Sequence, residues 1–182
     1  MKIYTGNGDA GETFDLNGKS VSKNDNIIHF IGTLDELISH LGLIKAMLSN
    51  EDAWQFSQKS ACIFMEKIQK NLMKIMSAEK ISFSDTDVLN MEKEIDRLTA
   101  NIPECKELVI PGKNIMEAQI HISRTIARKA ERLYYTLNEE MAQSPRCPNI
   151  CAYLNRLSDY LFVLSRQESL INVNFINQIT GL

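Results

Sequence analysis

One predicted helix carries the strongest chemical signal in the chain. It reads Glu117-Ala-Gln-Ile-His121-Ile-Ser-Arg124-Thr-Ile-Ala-Arg128-Lys-Ala-Glu131-Arg132. Arg124, Arg128, Glu131 and Arg132 recur at spacings of three and four, which sets them on one helical face. Two readings fit that spacing: a solvated charged stripe knit by i,i+4 pairs, or a grip on an oxyanion. Arginine suits the second, because its planar fork binds phosphate bidentately and stays charged when desolvated.

A second segment, Thr5-Gly-Asn-Gly8-Asp9-Ala-Gly11-Glu-Thr13, is rich in small residues whose backbone amides could form an anion-binding nest. It lacks Gly-Lys-Ser/Thr and is not a Walker loop. Taken alone it reads more readily as a tight hairpin turn. A third segment, Leu154-Asn155-Arg-Leu-Ser158-Asp159, sets polar residues beside a leucine face. It is either helix surface or a place where Asn155 bonds a ligand in a cleft. Cys147 and Cys151 could give a metal two thiolates, but no second pair or nearby His completes a tetrahedral set. Two free thiols at a helix start is the plainer reading.

These residues need a scaffold, and the pattern from residue 33 onward is helical. Thr33-Leu-Asp-Glu36 has the form of a capping box and predicts a helix starting at Thr33. Leu34, Leu37, Ile38, Leu41, Ile44 and Leu48 would form its apolar face. A second helix is expected over about 54–78, with Phe56, Ile63, Ile68, Leu72 and Met76 inward. A third runs from near Asp85 to the Pro103 break on Val88, Met91, Ile95 and Leu98. Leu108-Val-Ile-Pro-Gly112 reads as a short extended stretch ending in a turn. The fourth helix covers about 114–138, with Ile115, Ile122, Ile126 and Leu133 on the face away from the arginines. A polar loop, Glu139–Pro148, precedes a fifth helix over about 149–168, with Leu154, Leu157, Leu161 and Leu164 inward. The tail 169–182 is weakly patterned. The expectation is one all-α domain, 1–182: a glycine-rich nucleotide-binding loop segment at 1–31, an antiparallel five-helix bundle at 33–168, and the tail. A di-iron bundle would need Glu-x-x-His pairs on two helices, and the chain has none.

Composition narrows the partners. With 182 residues the chain can bury a core without staples, and a net charge of −3 gives no bulk reason to expect nucleic acid or an anionic membrane. The N-terminus has no secretory pattern, and no window is expected to approach the roughly 18 apolar residues that a membrane span needs. The expectation is therefore cytoplasmic, with the four cysteines as thiols.

Taken together, these segments resemble the PduO-type ATP:cob(I)alamin adenosyltransferases. The resemblance runs from Lys2 to about Arg166. It rests on Tyr4–Thr13, Val21-Ser-Lys-Asn-Asp25, Gly32-Thr-Leu-Asp-Glu-Leu37, Val109-Ile-Pro-Gly112, His121–Arg132 and Leu154–Phe162, in the family's order. It implies a five-helix bundle assembled as a homotrimer, with active sites between subunits. By matching position, Thr5, Gly8, Asp9, Gly11, Thr13 and Lys23 would hold the ATP phosphates, and Arg128, Glu131, Arg132 and Asn155 would complete the nucleotide site. Asp35 and Arg124 would pair across the subunit boundary on the corrinoid side, near Leu108. Mg²⁺ would accompany the triphosphate. A cobalamin reductase or an adenosylcobalamin-dependent enzyme would be a natural partner.

The implied reaction needs no protein nucleophile, since Co(I) of the substrate cob(I)alamin attacks the 5′ carbon of ATP itself. Three positions depart from the family pattern: Ala10 stands for a usual Lys, Leu108 for an aromatic, and Ile38 for Asn. Ala10 and Leu108 support a second reading, a non-catalytic relative that stores, delivers or senses adenosylcobalamin. Retention of Asp35, Arg124, Arg128, Glu131 and Asn155 favours the enzyme.

Overall fold

The computed structural model describes residues 3–4, 6–15, 17–49, 56–77, 83–140 and 148–180, with side chains described for all of these but 56–58, 138–140 and 171–180. In chain order they form β1 (Glu12–Phe14), β2 (Ser20–Ser22), α1 (Asn26–Ser49), α2 (Phe56–Met76), α3 (Asp85–Thr99), α4 (Ile115–Glu140) and α5 (Pro148–Thr180). This is the expected five-helix bundle, with a small hairpin at its N-terminal end. α4 packs most extensively, lying between α5 and α1; α3 covers α5 and α2 covers α1.

The core is built from the predicted leucine faces. Leu34, Leu37, Leu41 and Ile44 of α1 and Leu154, Leu157 and Leu161 of α5 are fully buried. By length and mean hydropathy (1.4) α1 could cross a membrane, so the expectation that no window comes near a span was too strong. Packing of its apolar face on α2 and α4 accounts for that composition.

α1 begins earlier than predicted. Asp25 caps it: its Oδ1 accepts from the Ile27 amide at 3.2 Å, and its carbonyl accepts from Ile28 and His29. Thr33 is buried inside the helix and donates its hydroxyl to the His29 carbonyl at 2.8 Å. That is the i→i−4 bond by which Thr tolerates a helix interior, so the Thr33–Glu36 box is not a cap. Glu36 instead accepts from Lys129 of α4 at 3.3 Å.

Two apolar faces also differ. Ile63 is exposed, because the buried stripe of α2 runs Ala61–Met65–Ile68–Leu72 and Ile63 falls off it. On α4, Ile126 is buried and Leu133 partly so, but Ile115 and Ile122 are exposed. Between two neighbours α4 buries small and polar residues instead, among them Ser123, Ala127, Ala130, Glu117 and His121. Hydrophobic periodicity cannot see such a stripe. The segment 169–180, expected as tail, continues α5. Cys147, most of the 139–148 loop and the Phe56 side chain lie outside the described residues.

The 1–31 segment is more ordered than loop chemistry suggested. β1 and β2 pair antiparallel with Thr13 opposite Val21. Asp15 closes the turn between them, its Oδ1 accepting from the amides of Asn17 and Lys19. These bonds hold its carboxyl below the usual carboxylate range.

Candidate active site

The arginine face divides into two parts. Arg128 and Arg132 are exposed, and Arg132 Nη1 reaches only the Arg128 carbonyl, at 3.2 Å. Beside them a polar network crosses three helices. Asn155 Nδ2 donates to Glu131 Oε1 at 2.9 Å, Arg156 Nη1 donates to Asn155 Oδ1 at 2.8 Å, and Arg156 Nε donates to Glu92 Oε1 at 2.9 Å. Because Asn155 Oδ1 is taken by Arg156, its amide group must face Glu131. Arg156 and Glu92 were missed by the sequence reading, since no spacing rule links α3 to α5. Asp159, one turn on from Asn155, has its carboxyl pushed up by burial, against the opposing pull of Arg156 and Arg128.

Arg124 is half-buried and faces a different neighbour. Its Nε donates to His121 Nδ1 at 3.2 Å. Asp35 is exposed on α1 and makes no hydrogen bond or ion pair among the described residues, so one chain does not bring it to Arg124. Arg124 and His121 line a cavity of about 240 Å³ with Pro111, Gly112, Ala118 and Ile122. That is smaller than the ~300–1,000 Å³ of ordinary small-molecule sites, so the chain alone offers only part of one here.

The glycine-rich segment forms two successive turns, closed by Asp9 N–Gly6 O and Gly11 N–Gly8 O bonds of 3.2 and 3.3 Å. Gly11 sits at φ +85°, where a side chain would be strained. Its carbonyl accepts from the Lys23 amide at 2.9 Å, which folds Lys23 back over the turns. The Lys23 ammonium lies so close to Gly8 that a Cβ there would meet it at 2.9 Å. Gly8 and Thr13, with Asn7, Glu12 and Ser20, line an open cavity of about 530 Å³. Thr5 lies outside the described residues. The segment is thus a turn that leads into a hairpin, with a lysine folded beside one of its glycines.

No hydrogen bond or ion pair joins Gly8, Asp9, Gly11, Thr13 or Lys23 to Arg128, Glu131, Arg132 or Asn155 in the described chain. The two halves of the expected nucleotide site therefore make no direct polar contact with each other among the described residues. Of the departing positions, Ala10 is an exposed turn residue and Ile38 packs partly against the core. Leu108 is 99% exposed, on a stretch that forms no strand.

Fold and site together define a class: a helical-bundle protein with exposed arginines on one helix face, distinct from the sheet-based P-loop folds. Comparison places it more narrowly. The profile of the cobalamin adenosyltransferase family matches residues 3–168, and the chain belongs to that family. Among its relatives, a corrinoid adenosyltransferase of Citrobacter freundii is 34% identical over 173 residues, covering 92% of this chain and 94% of that one. One of Bacillus subtilis is 32% identical over 171 residues, covering 91% and 86%. Among solved structures, a variant PduO-type ATP:corrinoid adenosyltransferase from Lactobacillus reuteri, complexed with cobalamin and ATP, superposes with a TM-score of 0.78 at 29% identity. It covers 94% of this chain and 92% of that one.

Proposed function

We propose that this chain transfers the 5′-deoxyadenosyl group of ATP to the cobalt of reduced cob(I)alamin, forming adenosylcobalamin and releasing triphosphate. The observation that carries this reading is the overlap with a relative solved with both cobalamin and ATP bound. The electron pair of Co(I) forms the Co–C bond to C5′ while the C5′–O bond breaks and triphosphate leaves. The protein orients the two substrates and stabilises the charge that moves onto the leaving group.

On this reading Thr5, Gly8, Asp9, Gly11, Thr13 and Lys23 hold the phosphates. Arg128, Glu131, Arg132 and Asn155 complete the nucleotide site. Asp35, Arg124 and Leu108 face the corrinoid. The lack of a direct polar contact between the two half-sites, and an Asp35 with no hydrogen bond or ion pair, both among the described residues, support a homotrimer whose sites are finished by a neighbour. Mg²⁺ arrives with the triphosphate. An ion of this kind is bound largely by phosphate and water. Cys62, Cys105 and Cys151, as thiols rather than disulfides, suit the reducing cytoplasm. A cobalamin reductase or an adenosylcobalamin-dependent enzyme is the partner this chemistry calls for, to supply Co(I) or take the product.

The test is direct: mix the protein with ATP, Mg²⁺ and chemically reduced cobalamin, and follow the Co(I) absorbance. Loss of that signal with formation of adenosylcobalamin is expected. No loss at high protein concentration would reject the enzyme and leave the nucleotide- or corrinoid-binding relative.

A further inference from the structure

A buried chain of polar groups lies beneath the Arg124 cavity, and neither the arginine face nor the glycine-rich segment accounts for it. It begins at the start of α4. Asn114 Oδ1 accepts from the Glu117 amide at 2.8 Å, as an N-cap does. Glu117 reaches back past the cap, and its Oε2 accepts from the amides of Gly112 and Lys113 at 2.8 and 3.1 Å. Gly112 has φ +115°, a conformation that favours glycine and helps turn both amides toward one oxygen. So far this is a helix cap, and a cap alone would leave the carboxylate at the surface.

Here it is sealed in. Glu117 is fully buried and His121 is 4% exposed, one turn further along α4. Glu117 Oε1 and His121 Nε2 are 3.1 Å apart, off the line of an ideal hydrogen bond, and neither has another partner among the described residues. The other face of the ring accepts the Arg124 Nε–H through Nδ1. An imidazole that accepts at Nδ1 carries its proton on Nε2, the nitrogen that faces Glu117. Phe162 of α5 packs edge-on against the ring and limits its rotation. The groups therefore follow one another from the Gly112 and Lys113 amides, through Glu117 and its 3.1 Å approach to His121, to the Arg124 guanidinium.

We infer that Glu117 and His121 are positioning residues that lock the segment carrying Leu108 to the guanidinium of Arg124, so that both walls of the corrinoid side are set by one buried pair. This rests on the proposed adenosyl transfer for its catalytic consequence, and on geometry alone for the lock itself. The two arms separate by substitution. His121→Asn keeps an acceptor near the Nδ1 position and loses the donor toward Glu117. His121→Gln places its amide near Nε2 and loses the acceptor for Arg124.

The experiment uses the full chain and measures kcat and KM for both substrates, the melting temperature, the exchange of the Gly112 and Lys113 amides, and the NMR signal of the Arg124 Nε–H. In His121→Gln the Arg124 signal should lose its protection, and kcat/KM for the corrinoid should fall about tenfold or more, the scale of one lost hydrogen bond to a charged group. KM for ATP should hold, and His121→Asn should recover most of the loss. In Glu117→Ala the Gly112 and Lys113 amides should exchange at least about tenfold faster, with Glu117→Gln as the milder variant if the first does not fold. Unchanged amide exchange, or an Arg124 signal alike in wild type and His121→Gln, would overturn the lock. Equal losses in the Asn and Gln variants would overturn the assignment to Nδ1. If the wild-type protein does not turn over, the adenosyl transfer fails while exchange and the Arg124 signal still decide the lock.

Discussion

Arg128→Ala separates the grip from a mere charged stripe. The guanidinium is exposed on the middle of α4 and makes no hydrogen bond or ion pair among the described residues. Its removal should therefore cost the fold little: surface substitutions of this kind fall within about 0.5 kcal/mol, and alanine is the best helix former. For a chain of this size that is a shift of no more than about 2 °C in Tm. Activity should respond quite differently. A charge-assisted bond to phosphate is worth about 1.5–3 kcal/mol, which converts to roughly 10- to 150-fold in kcat/KM. The assay is the decay of Co(I) absorbance at saturating cobalamin and varied ATP, with Tm measured on the same preparation. A kcat/KM within about twofold of wild type would refute the assignment, since it implies less than about 0.5 kcal/mol at the transition state. So would a loss of activity matched by a fall of many degrees in Tm, because Arg128 would then be supporting the fold.

Other expectations follow from the same geometry. Tyr160 is fully buried with its hydroxyl unpartnered among the described residues, whereas the Tyr153 hydroxyl accepts from Asn71 at 3.2 Å. Thermal unfolding should show Tyr160→Phe neutral or up to about 1 kcal/mol more stable, and Tyr153→Phe about 1 kcal/mol less stable; the reverse order would contradict this packing. His121 is held below the usual imidazole range by burial and by Arg124, against the pull of Glu117. The unfolded chain then binds the proton more readily, so stability should be full above about pH 6.5 and fall as pH drops toward the lowered value. His121→Asn should flatten that part of the Tm profile, and an unchanged slope would assign it to other groups. Gly8→Ala should leave Tm unchanged, because only the flexible tip of Lys23 must move, yet weaken ATP binding in calorimetry. Wild-type affinity in that variant would remove Lys23 from the phosphate site.

Much of this protein could be read from its residues in order. The leucine faces at Leu34–Leu48 and Leu154–Leu164 predicted core helices, and both are buried as expected. The arginine spacing on α4 and the family's motifs in order pointed to the same site. Where the reading failed, local pattern had stood in for position. Thr33 and Glu36 have the letters of a capping box, but Asp25 had already started the helix, so Thr33 bonds inward and Glu36 pairs with α4. Ile115 and Ile122 have the spacing of an apolar face but fall outside the contacts that α1 and α5 make with α4.

Sequence by itself determined the five helices, the core faces of α1 and α5, and the chemical character of the two candidate half-sites, because each depends on residues within a few turns of one another. Only the tertiary structure decided which polar groups meet. Asn155 bonds Glu131 across 24 residues and Arg156 bonds Glu92 across 64, pairings set by helix packing rather than by any spacing. It also decided that Glu117 and His121, to which helical spacing assigned no face, are buried. Burial is settled by what lies opposite, and α4 has a helix on both sides.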